Sequence, residues 1–295
     1  MDIVFVILHY LTSEDTSNCI DSIRKKIDTE SYHIVVVDNA SGNGSFEILQ
    51  TAYGDASDVT LMSNEENLGF ARGLNVGINY AREHFAPDFI ALINNDTQLV
   101  SFDMVGTMKM KHKQYGFAVL GPMIITADGL CSVNPILESP RNAQDVCAAI
   151  HRYRKINTLC RFHLYGLYMF LKNLMPEKKK TTKTLHLDDL TDCKLHGSFW
   201  ILSKDYFTFF DGLNPDTFLY GEEDILYLSV LKAGLHTLYT PDICIYHKEN
   251  SSTDSALPNS SKKAQFVCKY CIESLDIYLN LLKDKGQSEK VTERK

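Results

Sequence analysis

At 295 residues, with 44% hydrophobic and 23% charged residues, the sequence has the composition of a globular protein able to bury a sizeable core, as one large α/β domain or two smaller ones. A formal net charge of -7 argues against a non-specific nucleic-acid binder held by electrostatics, so no nucleic-acid partner is expected. Eight scattered cysteines with no secretory signal before them read as reduced thiols of a cytoplasmic protein, and "MDIVFVILHYL" at the start is too short to span a bilayer.

In chain order, "IVFVIL" (3–8) and "HIVVVD" (33–38) are short β-branched runs typical of strands buried on both faces. Between them Cys19, Ile20, Ile23 and Ile27 recur at helical spacing, which makes a β-α-β unit. "VTLM" (59–62) reads as a strand, "FARGLNVGINYAREHF" (70–85) as a helix with Leu74, Ile78, Ala81 and Phe85 on one side, and "FIALI" (89–93) as another strand. This alternation predicts an α/β fold: a mostly parallel central sheet with helices on both faces and a ligand crevice beyond the carboxyl ends of its strands. Asp38 and the cluster Asn94, Asn95 and Asp96 both fall at such ends. Taken alone, Asn-Asn-Asp is turn chemistry; two polar clusters at strand ends favour a binding site. The glycines Gly69, Gly73 and Gly77 are spaced by four and do not form the dinucleotide fingerprint, and no P-loop sequence occurs.

From about 130 to 190 the alternation fails, and the stretch reads as a basic, aromatic, helical insertion. It holds Arg152, Arg154 and Lys155, the apolar run "FHLYGLYMFLKNLM" (162–175), and Lys178, Lys179 and Lys180. Strand character returns at "HGSFWILS" (196–203). A helix is expected to begin near Glu222, with Glu222, Glu223 and Asp224 in its first turn and Gly234 ending it. Further on, "FVCKYCIESL" contains a single C-x-x-C, Cys268 and Cys271, whose apolar neighbours favour a buried helical face over a zinc site. The C-terminal segment 251–285 is expected to be helical and to pack on the domain or mediate a homodimer, with 286–295 a solvated tail.

In this order, "VVVDNASGNGS", "NEENLGFARGLNVGI", "LINNDT", "GSFWILSKDYF", "FLYGEEDILYLSVLKAG" and "IYH" resemble bacterial family 2 glycosyltransferases of the GT-A fold, in particular the rhamnosyltransferase-like branch that builds surface polysaccharides. The resemblance covers roughly residues 3–248. It implies a GT-A domain over 1–250, with a donor-nucleotide half (1–130), the insertion (131–190), and an acceptor and catalytic-base half (191–250). Asp38, followed by Asn39, matches the acid that holds the nucleotide base, and Asn94, Asn95 and Asp96 occupy the place of the D-x-D motif. Asp96 and His247 would be the metal contacts, for Mn²⁺ or Mg²⁺, although Asn94 replaces the first acid of that motif. Arg72 is a candidate for the donor phosphates. The acid group supplies a catalytic base for an inverting displacement, Glu223 ranked first and Asp224 second, with Glu222 beside them; Trp200 could stack on the acceptor sugar or sit in the core.

The implied partners are a nucleoside-diphosphate sugar, dTDP-rhamnose first and a UDP-hexose second, and a saccharide or lipid-linked acceptor. Residues 150–180 suggest peripheral contact with the inner face of the cell membrane, or else a helical pair packed on the core or a second subunit. A nucleotidyltransferase is disfavoured because the Gly-rich basic loop it needs is missing after "VILHY". A silent sugar-nucleotide-binding or scaffold subunit is the alternative from a different class.

Overall fold

The structure is a computed structural model that describes residues 1–129, 133–173, 185–248 and 260–284. The Lys178–Lys180 cluster, residues 174–180 of the basic segment, residues 251–259 and the 286–295 tail lie outside the described residues.

The first half alternates as the sequence pattern requires: β1 (Ile3–His9), α1 (Ser13–Lys26), β2 (Tyr32–Asp38), α2 (Ser45–Tyr53), β3 (Val59–Ser63), α3 (Phe70–Phe85) and β4 (Phe89–Asn94). Then follow β5 (Thr97–Leu99), α4 (Met104–Tyr115), β6 (Val119–Thr126), α5 (Ala143–Arg161), α6 (Tyr165–Asn173), β7 (Leu190–Thr191), β8 (Phe199–Ser203), α7 (Glu222–Lys232), β9 (Thr237–His247) and α8 (Ser260–Lys283). One sheet runs β3-β2-β1-β4-β8-β6-β9-β5, with β7 on β9. Strands β1 to β4 are all parallel, β8 runs antiparallel between β4 and β6, and β9 is parallel to β6, so by length of ladder the sheet is mostly parallel.

Both faces are covered. Ile3, Phe5 and Ile7 share one core cluster with Ile20, Ile23, Leu49 and Met108 from α1, α2 and α4, while Val4, Val6, Val35 and Val37 share a second with Leu74 and Ile78 of α3 and Leu226 and Val230 of α7. The glycines of α3 set its distance from the sheet. A Cβ at Gly77 would lie 2.3 Å from Val6 Cγ1, and one at Gly73 would lie 2.7 Å from Leu8 Cδ1, so the four-residue spacing is a flat helix face against β1 and β2. A third cluster joins Val146 and Ile150 of α5 to Ile225 and Leu228 of α7 and to Leu275 and Tyr278 of α8, so the C-terminal helix packs on its own domain. Cys268, 2% exposed on α8, is a core residue of that helix, as its apolar surroundings indicate.

Strand β6 was not evident in the sequence because "VLGPMIIT" carries two breakers. Pro122 sits where the β6–β9 register shifts, a position that tolerates a missing N–H. Gly121 leaves room for Leu195 and Asn134, which would lie 2.8 and 2.9 Å from a Cβ there.

Candidate active site

Strand directions place the sequence-distant motifs on one edge. The carboxyl ends of β1, β2 and β4 lie together, with His9 beside Asp38 and Leu8 beside Asn94. Because β8 is antiparallel to β4, the segment just before β8 meets the end of β4, with Ile93 opposite Phe199. The ends of β6 and β9 arrive at the same edge, where Thr126 and Thr97 both pair with His247.

The first motif is braced from inside. Asp38 is buried, and its carboxylate accepts hydrogen bonds from the Ser41 hydroxyl (2.5 Å), the Ser41 amide (3.3 Å) and the Ser63 hydroxyl (3.1 Å). Beside it His9 bonds Thr16 and Ser45; burial pushes its pKa down, so the ring is neutral. Asn39 uses its whole amide on the 64–69 loop. It donates to Asn67 Oδ1 and the Gly69 carbonyl (both 3.0 Å), and accepts from Asn64 Nδ2 (3.1 Å) and the Leu68 amide (3.0 Å). Its side chain therefore holds the loop that leads into α3. Arg72, in the first turn of α3, is exposed and makes no hydrogen bond or ion pair among the described residues.

In the Asn-Asn-Asp cluster the middle residue differs from its neighbours. Asn95 is 5% exposed and donates to Thr12 Oγ1 (2.8 Å) and Thr16 Oγ1 (3.2 Å), tying the end of β4 to the start of α1. Asp96 points the other way, its Oδ1 3.2 Å from His247 Nε2. With Nε2 donating to Asp96, the buried Nδ1 of His247 is an acceptor with no hydrogen-bond partner. One carboxylate and one imidazole whose facing atoms, Asp96 Oδ1 and His247 Nε2, stand 3.2 Å apart would fit a Mn²⁺ or Mg²⁺ ion in place of their hydrogen bond, its other positions kept for phosphate oxygen. No group of three or more His, Cys, Asp or Glu side chains with metal-ligand placement occurs among the described residues.

Residues 196–198 connect the pieces. The Ser198 carbonyl accepts from the Asn94 amide (3.0 Å), the His196 ring meets that of His247 edge-on at 5.7 Å, and the Gly197 amide donates to Glu223 Oε1 (3.3 Å). A Cβ at Gly197 would lie 2.8 Å from that same oxygen. This glycine was not among the site residues expected from the sequence, although it opens the block "GSFWILSKDYF" two residues before an apolar strand. Lys248, also missed, follows His247. Its amide donates to the Asp96 carbonyl (3.0 Å), and its ammonium rests on Asp15 Oδ1 at 2.8 Å, which raises its pKa.

The three acids opening α7 have different environments. Glu222 is 8% exposed; burial, and then the Glu223 carboxylate, push its pKa up to about 8, and its Oε1 has no hydrogen-bond partner. Asp224 is pinned by Lys194 Nζ at 2.9 Å and Arg141 at 3.5 Å. Glu223 is the half-buried acid that faces Gly197. Trp200 corrects one expectation: it is 0% exposed on β8, edge-on to Phe70 at 6.2 Å, and offers no face to a sugar. On a strand covered on both sides, the largest apolar ring fills the core.

The family model described as glycosyl transferase family 2 matches residues 5–208. No curated protein matches the sequence. Among solved structures, GalNAc-T7 with UDP, GalNAc and Mn²⁺ is similar over 85% of this chain and 45% of that one, at 13% identity and TM-score 0.57. TarS residues 1–349 from S. aureus aligns over 100% of this chain and 92% of that one, at 10% identity and TM-score 0.51. The chain spans less than half of the first solved structures it matches, 39% for a TarS complex with UDP-GlcNAc (17% identity, 47% of this chain, TM-score 0.39). At these identities the likeness concerns the fold, and the fold is GT-A.

Proposed function

The chain belongs to glycosyl transferase family 2, and we propose that it moves a sugar from a nucleoside diphosphate to a hydroxyl of a saccharide or lipid-linked acceptor, inverting the anomeric centre. The observation that carries this reading is the junction at 196–198, which brings the Asp96–His247 pair and Glu223 to one sheet edge.

In this reading the diphosphate lies over the ends of β4 and β9. Asp96 and His247 would hold Mn²⁺ or Mg²⁺, which when bound offsets the negative charge developing on the leaving diphosphate. Lys248 adds a cation at the same end, shared with Asp15 until phosphate oxygen competes for it. Arg72, exposed on α3, is a second such cation. Asp38 faces the nucleotide base from the end of β2, and Asn39 keeps the 64–69 loop in place beneath it.

The acceptor hydroxyl forms its new C–O bond to the anomeric carbon as the bond to the diphosphate oxygen breaks, and its proton passes to Glu223. Lys194 and Arg141 engage Asp224, and burial keeps Glu222 protonated at neutral pH, so Glu223 is the carboxylate available as base. Held by the Gly197 amide, it needs no reorganisation before reaction.

The donor is dTDP-rhamnose first and a UDP-hexose second, the setting bacterial surface-polysaccharide synthesis, and the site of action the cytoplasmic side of the membrane. Supporting this are the motif blocks and, at the level of fold, a neighbour solved with UDP and Mn²⁺. Incubating the protein with these donors, acceptor glycans and Mn²⁺ should release nucleoside diphosphate without pyrophosphate. Glu223→Gln should lower turnover by about 10²- to 10⁴-fold while donor affinity is kept. Equal turnover by the variant would remove Glu223 from the reaction. No release by the wild type with any donor would favour a silent sugar-nucleotide-binding or scaffold subunit.

A further inference from the structure

A cavity of about 430 Å³ opens on the face of the sheet covered by α3 and α7, within the size range of small-molecule sites. Asn79 of α3, Phe209 and Phe210 beyond β8, Glu222 and Ser229 of α7, and Leu281 of α8 contribute to its walls. Asp38, Asn94, Asp96 and His247 do not line it, so it is distinct from the strand-end crevice. Yet it adjoins the catalytic helix, because Glu222 in its wall precedes Glu223 in the chain.

The lining selects the ligand by charge. No lysine or arginine lines the cavity, whereas the Asp211 carboxylate does, so its wall offers no cation to pair with a phosphate or other anion. Aromatic carbon is available: Phe209 is 47% exposed beside Phe210, with ring centroids 6.5 Å apart. The exposed Asn79 amide makes no hydrogen bond among the described residues, and burial pushes the pKa of the Glu222 carboxyl in the wall up to about 8, so it is uncharged at neutral pH. Ring faces beside uncharged hydrogen-bonding groups complement the C–H face and hydroxyls of a pyranose.

The rim is also fixed in advance. Asn75 Nδ2 donates to the Leu213 carbonyl and its Oδ1 accepts from the Leu213 amide, both at 2.8 Å, and the Tyr206 hydroxyl donates to the Gly212 carbonyl at 2.9 Å. A Cβ at Gly212 would lie 2.4 Å from Asn75 Oδ1, so the loop sits tightly against α3. Little ordering remains for a ligand to impose.

We propose that this cavity binds an uncharged pyranose unit of the acceptor saccharide, next to the unit that reacts; the link to the acceptor rests on the transfer reaction proposed above. Saturation-transfer NMR on the full chain, with methyl pyranosides of glucose, galactose, rhamnose and N-acetylglucosamine, tests it. At least one glycoside should give ring-proton signals that saturating UDP or dTDP with Mn²⁺ leaves intact. Phe209→Ala should weaken binding about tenfold and Asn79→Trp should block it, both at unchanged melting temperature because both positions are exposed. Absence of signal from every glycoside, a signal kept by both variants, or one displaced by the nucleotide would overturn the proposal. A protein that binds a glycoside in this way but no nucleotide would keep the saccharide site and remove the transferase reading.

Discussion

At the scale of single residues, the site depends on groups of similar chemistry placed in different surroundings. Glu222 and Glu223 are neighbours, but Glu222 is buried while Glu223 is half-buried against Gly197, and burial holds the Glu222 proton near neutrality. That difference makes stability depend on pH. The folded chain keeps the Glu222 proton up to about pH 8, whereas an unfolded glutamate releases it near 4.5, so between these values the folded state binds more protons and stability falls as pH rises. Glu222→Gln should flatten this loss: from pH 5.5 to 8 the melting temperature of the variant should drop less than that of the wild type. Parallel curves would contradict the assignment. Residue types at strand ends were legible in the sequence, since Asp38, Asp96 and His247 do meet one edge. Their neighbours were less so, because Asn39 and Asn95 are the same kind of residue but turn inward as braces, a choice made by tertiary partners such as Thr12, Thr16 and Asn67.

Elements show the same division. Strands β1 to β4 and helix α3 were readable within about a residue, because continuous apolar runs and helical spacing reflect burial directly. Strand β8 was visible too, yet the use of its first turn was not. Gly197 and Ser198 serve the site through their backbone amide and carbonyl, and backbone groups carry no sequence signature. Gly197 is the sharpest case, since a methyl group there would meet the Glu223 carboxylate at 2.8 Å. Gly197→Ala should therefore push the base aside and lower kcat by about 10²-fold, with donor KM close to that of the wild type. An unchanged kcat would mean that Glu223 does not act from this position. Helix α8 contributes from the other side: Tyr270 stacks on Phe218 at 4.5 Å, and Ser274 lies 3.0 Å from where a Cβ of Gly221 would stand. The C-terminal helix thus buttresses the turn that starts α7, a role its amphipathic spacing alone could not assign.

Over the whole molecule, a chain of net charge -7 carries one region of opposite character. Phe162, Leu167, Phe170 and Leu171 are 53–71% exposed near the exposed Arg154, Lys155 and Arg161 on α5 and α6, while no helix among the described residues is long and apolar enough to cross a membrane. Exposed rings beside cations suit the surface of an anionic bilayer, the proposed meeting place with a lipid-linked acceptor. The chain should float with vesicles containing phosphatidylglycerol, and Phe162→Asp combined with Phe170→Asp should abolish flotation; equal flotation of both proteins, or of neither, would count against that contact. The central claim is that the sheet edge at Asp96 and His247 holds a nucleoside diphosphate, and melting temperature measures it directly. For the wild type, UDP or dTDP with Mn²⁺ should raise the transition by mass action, by about 2.7 kcal/mol of stability at a hundred times Kd, and Asp96→Ala should lose that rise. No rise with either nucleotide, or an equal rise in Asp96→Ala, would contradict it.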